Sequence, residues 1–533
     1  MKTNTAWAWL ALAGVWVVAL AVGIAMRPVM PVDETRYLSV AWNMWREHQF
    51  LVPLLNGEPY PDKPPLLFWL IQAGWAVGGV SEIWARTAAP LAGLAATLLT
   101  ARLGRELWPE RPSLGLFAAM LLMGSGFWLI FATLTMFDML VVATTVVAVT
   151  AIVLAARTGG WRGWAVAAIA GGIGVLSKGP VGLLPIASIA LLAPLWRRRP
   201  PGRGWAYWYM ATVAMLATAG AVGLAWALPA AYAGGEAFAR HILWDQTTGR
   251  IVNAFAHARP IWWYLPLLPA LTLPWLLWTP LWRGARAACR TTDEGVRLCF
   301  VWVLAVVITM SLISGKQPHY MLPIFPALAL LGARALDAAG AVGRRDRLPL
   351  AIFWGVLGIA SFAVPMAAAR GLLPGGFAAL PPSIGIVLLT LAVAIAGPVR
   401  LSAGAGVAVL MASVLVAVVM VNFGFHETIG PNYDTSAIAR RIGDFQRASR
   451  PVALVERQGG QFDFVGRLPK PLPVISRQRI EAWSRAHPQG YLVRQQKDMP
   501  VGGDYVALHR FRGQYLVIWP APALANRVTK SSE

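Results

Sequence analysis

The chain has 533 residues, 57% hydrophobic and 13% charged, with a mean hydropathy of +0.56. That charged fraction is about half the roughly 25% of soluble domains, which excludes a string of water-soluble globules and makes the chain polytopic in a membrane. The 46 Lys and Arg outnumber the 24 Asp and Glu by 22, a surplus that would point to nucleic acid in a soluble protein; basic residues also orient membrane helices.

A hydrocarbon core of about 30 Å takes about 20 apolar residues to cross. Thirteen crossings are predicted, at 7–26, 84–103, 113–131, 137–156, 164–176, 180–195, 206–228, 262–281, 298–314, 320–335, 349–368, 383–398 and 403–422. The pair flanking Lys178-Gly179-Pro180 is short and expected to be broken or tilted. The run 6–26 exceeds the 7–15 residues of a signal-peptide core, so it is expected to be an uncleaved first helix. A further apolar stretch, 66–80, follows Pro64-Pro65, is too short to span comfortably, and is expected at the interface.

With the N-terminus placed in the cytoplasm, the cytoplasmic positions collect 19 basic and six acidic residues, as the positive-inside rule requires. The outside loops before residue 424 hold 11 basic and nine acidic residues. More than half of the surplus is therefore topological. Cys289 and Cys299 fall at the cytoplasmic edge of one helix and imply no disulfide. There is no repeat of 20–50 residues.

These spans define a transmembrane domain over 1–423, with outside loops at 27–83 and 229–261. From 424 to 533 charges become frequent. A helix is predicted over 435–447, and short alternating runs at 451–455, 491–493 and 515–519 predict strands. This reads as a small α/β domain, and thirteen crossings place it outside.

Ionisable groups at the membrane edge are costly and are functional candidates by default. The first outside loop carries Asp33, Glu34, Arg36 and Tyr37 near its start and Asp62-Lys63 beside the diproline. Between them, 37–50 places Leu38, Ala41, Trp42 and Trp45 at helical spacing, which predicts an amphipathic interfacial helix. Asp33 and Glu34 could simply cap that helix. Their company argues for more: Asp138 at the outer start of a helix, Lys178 between two short helices, and Lys316-Gln317-Pro318-His319-Tyr320 at another outer edge. The 229–261 loop adds His241, Asp245, Arg250 and His257. Loops converging at one depth with both signs of charge suit an anionic amphiphile. A zinc-like divalent metal at His241, Asp62 and Glu34 is an open alternative that no tight ligand spacing supports. A transporter would be expected to place charges near the midplane in related halves, and a purely structural protein has no use for this polar collection.

Asp33-Glu34-Thr35-Arg36-Tyr37, followed by Asn56-Gly57-x-Pro59-Tyr60-x-Asp62-Lys63-Pro64-Pro65-Leu66, closely resembles the aminoarabinose transferases of Gram-negative bacteria, within the polyprenyl-phosphate-sugar and protein O-mannosyltransferase superfamily. Thr135-Met136-Phe137-Asp138, Ser177-Lys178-Gly179-Pro180 and Lys316-Gln317-Pro318-His319-Tyr320-x-x-Pro323 extend the likeness over nearly the whole chain. The resemblance implies a C-type glycosyltransferase fold in the bacterial inner membrane. It implies inverting transfer of 4-amino-4-deoxy-L-arabinose from undecaprenyl phosphate to lipid A phosphate on the periplasmic side. Carried onto matching positions, Asp33 is the main acidic catalytic residue, Asp138 completes the polar cavity, and Lys63 and Tyr320 hold the carrier phosphate. Arg36 and Lys178 match motif positions. Some relatives carry Glu in the place of Asp62. The two-part loop motif is specific to the superfamily and less so to one acceptor, so a protein hydroxyl or another envelope glycan stands as the alternative. The implied partners are the lipid-linked sugar, lipid A and membrane lipids, with no required cofactor and a monomeric enzyme.

A departing lipid phosphate needs cations and hydrogen-bond donors in place of water. Lys63 offers a point charge, Arg250 a two-pronged contact, and Tyr320 a hydroxyl.

Overall fold

The computed structural model describes residues 2–198, 203–249, 258–289, 293–456 and 459–532. The chain opens with α1 (Lys2–Met26), α2 (Asp33–Arg46), the short strands β1 (Leu54–Leu55) and β2 (Glu58–Pro59), and α3 (Leu66–Gly78). Next come α4 (Glu82–Leu107), α5 (Ser113–Met123), α6 (Gly126–Phe131), α7 (Phe137–Thr158), α8 (Trp161–Lys178) and α9 (Leu184–Leu191). Two compact units emerge: Met1–Ile24, Pro61–Leu67 and Glu82–Gly424 form one, and Ala25–Tyr60, Phe68–Ser81 and Phe425–Glu533 the other.

The first unit is helical. Among the described residues, eight helical segments are long and apolar enough to cross a membrane: Ala6–Met26, Phe137–Thr158, Trp161–Leu191, Gly204–Gly234, Glu294–Leu312, Pro318–Ala339, Arg344–Ala369 and Ala403–Glu427. Shorter apolar helices include Ser113–Met123, Ile261–Leu271 and Pro382–Ile395. Two expected spans are interrupted. The run 113–131 is α5 and α6, parted at Gly124-Ser125, where the Ser125 side chain caps α6 by accepting from Trp128 N–H. The run 262–281 ends its helix at Leu271 and resumes at Thr279 as the helix Thr279–Cys289. Cys299 is buried and free.

The segment 161–191 is not straight. Gly179 takes φ +72° and ψ −162°, a conformation open to glycine alone, and the chain folds back there. A Cβ on Gly182 would lie 2.3 Å from the Gly174 carbonyl oxygen, so the returning turn needs a glycine at its closest approach. Elsewhere Arg86, 4% exposed, donates to the carbonyls of Gly23 and Ile24 and so caps the end of α1 with a cation.

In the second unit, the apolar stripe predicted for lipid meets protein. Leu38 and Ala41 are fully buried, and Trp42 lies edge-on to both Trp75 and Phe464. Ser39 Oγ donates to Gly460 O and accepts from Phe464 N–H, and Asn43 Nδ2 donates to Asp463. The segment 459–468 of the C-terminal region thus covers the face of α2 that the sequence left unpartnered. Asn56 (φ +55°) and Gly57 (φ +84°) form the tight turn of the β1–β2 hairpin. The Asn56 side chain exchanges two hydrogen bonds with the Leu472 backbone, at 2.8 and 2.7 Å.

The C-terminal region holds a five-stranded sheet in the order β4-β3-β5-β7-β6. Its strands are β3 (Val452–Val455), β4 (Val474–Ile475), β5 (Tyr491–Gln496), β6 (Ala507–Phe511) and β7 (Gln514–Pro520). β3 runs parallel to β4 and β5, while β7 is antiparallel to β5 and β6. The helix Ser436–Arg447 contributes Ile438 and Ile442 to the core on one face; Ile480 and Leu524 belong to the other. β4 and β6 were not expected from the sequence.

Candidate functional site

Asp138 stands in the first turn of α7 and is 5% exposed. Lys178 is the last residue of α8. Each occupies the helix end whose dipole favours its charge, and Lys178 Nζ lies 2.6 Å from Asp138 Oδ1. The same ammonium sits 4.4 Å from the centre of the Tyr320 ring. Tyr320 and His319 share the 3₁₀ turn Pro318–Ile324, with their rings edge-on at 4.9 Å, and His319 also lies 5.7 Å from Phe131. Lys63 and His319 both act electrostatically on Asp138. Asp138 is thus paired with Lys178, with Lys63 and His319 near enough to act on it electrostatically.

The loop carrying Tyr320 is pinned from behind. Lys316 is 2% exposed and donates to the carbonyls of Ile313 (2.5 Å) and Arg259 (3.1 Å). Tyr264 Oη donates to Gln317 O at 3.2 Å, and Ala258 bridges Gly315. Lys316 was expected in the cavity; its ammonium is engaged with backbone oxygens instead. Tyr264 was missed because it lies in a Trp-Trp-Tyr run that reads as an interfacial belt. Asp62 is half-buried beside Lys63.

On α2, Asp33 and Glu34 part company. Glu34 is 3% exposed and accepts the Met30 N–H at 3.0 Å, which closes the turn entering the helix. Asp33 is exposed and accepts from Tyr37 Oη at 3.2 Å. Burial alone would lower the Arg36 guanidinium, but Tyr60, Asp33 and Tyr37 outweigh it and raise it above its ordinary value. Neither acid makes a side-chain cap hydrogen bond to α2: both stand in its first turn, where the helix dipole favours them, and Glu34 ties down the segment ahead of the helix.

His241 pairs with Asp245 at 3.0 Å, one helical turn away. Among the described residues, no three His, Cys, Asp or Glu side chains are grouped as a metal would require, so His241, Asp62 and Glu34 do not converge on one. Arg250 and His257 lie outside the described residues.

Residues 62–224 match the family described as dolichyl-phosphate-mannose-protein mannosyltransferase. Over 339 residues the chain is 31% identical to the undecaprenyl phosphate-alpha-4-amino-4-deoxy-L-arabinose arabinosyl transferase 2 of Pseudomonas fluorescens, covering 62% of this chain and 60% of that relative. A Pseudomonas aeruginosa enzyme of the same name is 32% identical over 316 residues, covering 57% of this chain and 55% of the relative. The chain therefore spans little more than half the length of these curated relatives. The crystal structure of ArnT from Cupriavidus metallidurans bound to undecaprenyl phosphate is 20% identical, covers 96% of this chain and 98% of its own, and superposes with a TM-score of 0.76; its apo form gives 0.77. At that identity the likeness establishes the fold, which is that of ArnT. The chain is therefore similar in sequence to the undecaprenyl phosphate-aminoarabinose arabinosyl transferases and in fold to ArnT.

Proposed function

We propose that the chain is an inverting glycosyltransferase that moves 4-amino-4-deoxy-L-arabinose from undecaprenyl phosphate to a phosphate of lipid A. The observation that carries this reading is the Asp138–Lys178–Tyr320 cluster with Lys63 bearing on it: a partly desolvated site that brings ammonium groups and a phenol together, suited to a lipid phosphate. The printed names of the curated relatives supply the sugar and its carrier. The reading places thirteen crossings in a bacterial inner membrane, the N-terminus in the cytoplasm, and residues 424–533 in the periplasm. The enzyme acts as a monomer.

As the bond from the anomeric carbon to the carrier phosphate breaks, negative charge grows on the phosphate. Lys63, the Tyr320 hydroxyl and Arg250 stabilise it, and Asp138 fixes the position of Lys178. Preorganised donors of this kind each contribute about 10²–10³ in rate. A lipid A phosphate is already anionic near neutral pH and needs little general base, so Asp33 acts mainly by orienting the acceptor and stabilising the oxocarbenium-like centre. A serine or threonine acceptor would need Asp33 to remove a proton. The reading requires no cofactor.

Mass spectrometry of lipid A from cells with and without the gene tests it. A gain of one aminopentose on lipid A is expected. Unchanged lipid A with altered glycoproteins would replace lipid A by a protein acceptor.

A further inference from the structure

The connection leaving β3 and the connection leaving β4 depart on opposite faces of the sheet. After β3, Phe462, Leu468 and Leu472 pack on the face that includes Leu454 and Val493. After β4, Ile480 packs on the face of Val455 and Leu492. Adjacent parallel strands whose connections diverge in this way open a crevice at their carboxyl ends, where open α/β sheets bind ligands.

That edge is basic. Arg477, two residues past β4, holds Glu456, one residue past β3, with Nε–Oε1 at 2.8 Å. Arg494 on β5 stands in register with Val455, the last residue of β3. Its Nε is buried and has no hydrogen-bond partner among the described residues. Burial first, and then the like charge of Arg477, pull the Arg494 guanidinium below its ordinary value, while Glu456 acts in the opposite sense. Arg477 thus holds the carboxylate, which acts on Arg494 only electrostatically, and the half-buried Arg494 has an Nε donor without a partner among the described residues. A phosphate monoester fits this deficit because its oxygens accept the parallel N–H pairs of a guanidinium fork.

We propose that the carboxyl edge of β3 and β4 is an anion site in which Arg477 and Arg494 bind a phosphomonoester in competition with Glu456. It uses none of the residues assigned to transfer.

The test uses the full chain in detergent, in a Lys63→Met background that removes the proposed carrier-phosphate contact. Inorganic phosphate is titrated at constant ionic strength and followed by ³¹P NMR. Saturable binding is expected, weakened about tenfold or more by Arg494→Gln, since hydrogen bonds to charged groups are the stronger kind. Glu456→Gln releases Arg477 and tightens binding severalfold. That opposite change keeps the test decisive if an arginine variant folds poorly. Absence of saturable binding, or isotherms unchanged by both substitutions, overturns the proposal. In nanodiscs of phosphatidylcholine with and without phosphatidic acid, loss of phosphate binding only with phosphatidic acid identifies a lipid headgroup as the occupant. Binding retained in both identifies free phosphate.

Discussion

Lys178 Nζ lies 2.6 Å from Asp138 Oδ1, joining the end of one membrane helix to the start of another. Removing one partner of a buried pair leaves an uncompensated charge, at a cost of about 3 kcal/mol. Asp138→Asn is therefore expected to lower thermal stability in detergent and to reduce transfer at least about a hundredfold. The double variant Asp138→Asn, Lys178→Met removes both charges and should regain much of the stability while staying inactive. A double variant as active as the parent would show that the pair is only structural.

The Lys178 ammonium lies 4.4 Å from the centre of the Tyr320 ring, and the proposed function gives the Tyr320 hydroxyl to the carrier phosphate. Tyr320→Phe keeps the ring and should leave stability unchanged while lowering kcat by about tenfold or more. Tyr320→Leu removes the ring as well and should cost about 1 kcal/mol of stability in addition. Equal unfolding temperatures for the two variants would refute the role given to the ring.

The composition of the chain made the membrane legible, and the local motifs named Asp138, Lys178 and Tyr320 before any geometry was known. What the sequence could not show were interactions between distant segments. The stripe Leu38, Ala41, Trp42 and Trp45 reads as lipid-facing because no neighbouring turn covers it; Trp75, some 30 residues on, and Phe464, some 420 residues on, do. Lys316 looked like a cavity cation because a lysine beside a tyrosine at a membrane edge says nothing about the carbonyls of Arg259 and Ile313. The two-residue strand β4 is too short to carry a periodicity. Asp33 and Glu34 are chemically alike, and what separates them is burial and partner: Glu34 is buried against the Met30 N–H, while Asp33 is exposed and bonded to the Tyr37 hydroxyl.

The reversal at Gly179 makes a local prediction. In Gly182→Ala the new Cβ would start 2.3 Å from Gly174 O, a backbone atom that cannot swing away. Overpacking of this kind costs about 1–3 kcal/mol, and the shift is transmitted to Lys178 four residues earlier. Stability and transfer should fall together. Gly14→Ala is the control, because nothing lies within 4 Å of its added Cβ. A Gly182→Ala protein with parental unfolding temperature and activity would mean that the turn is not tight.

His509 on β6 makes the last prediction. Its Nε2 is buried with no hydrogen-bond partner among the described residues, and burial lowers its pKa, with Asp434 acting in the opposite sense. An unfolded histidine titrates near 6.5. Because the folded value is lower, the native state binds fewer protons than the unfolded state in the interval below 6.5, and stability rises with pH there. The contribution of His509 is thus complete above about pH 6.5 and is lost as the pH falls through the folded pKa. Hydrogen exchange of residues 507–520, corrected for intrinsic rates, should show falling protection between about pH 7 and pH 5. His509→Gln should flatten that fall, and Asp434→Asn should steepen it by removing a charge that favours protonation. Protection that declines equally in the parent and in His509→Gln would assign the acid sensitivity of this sheet to other groups.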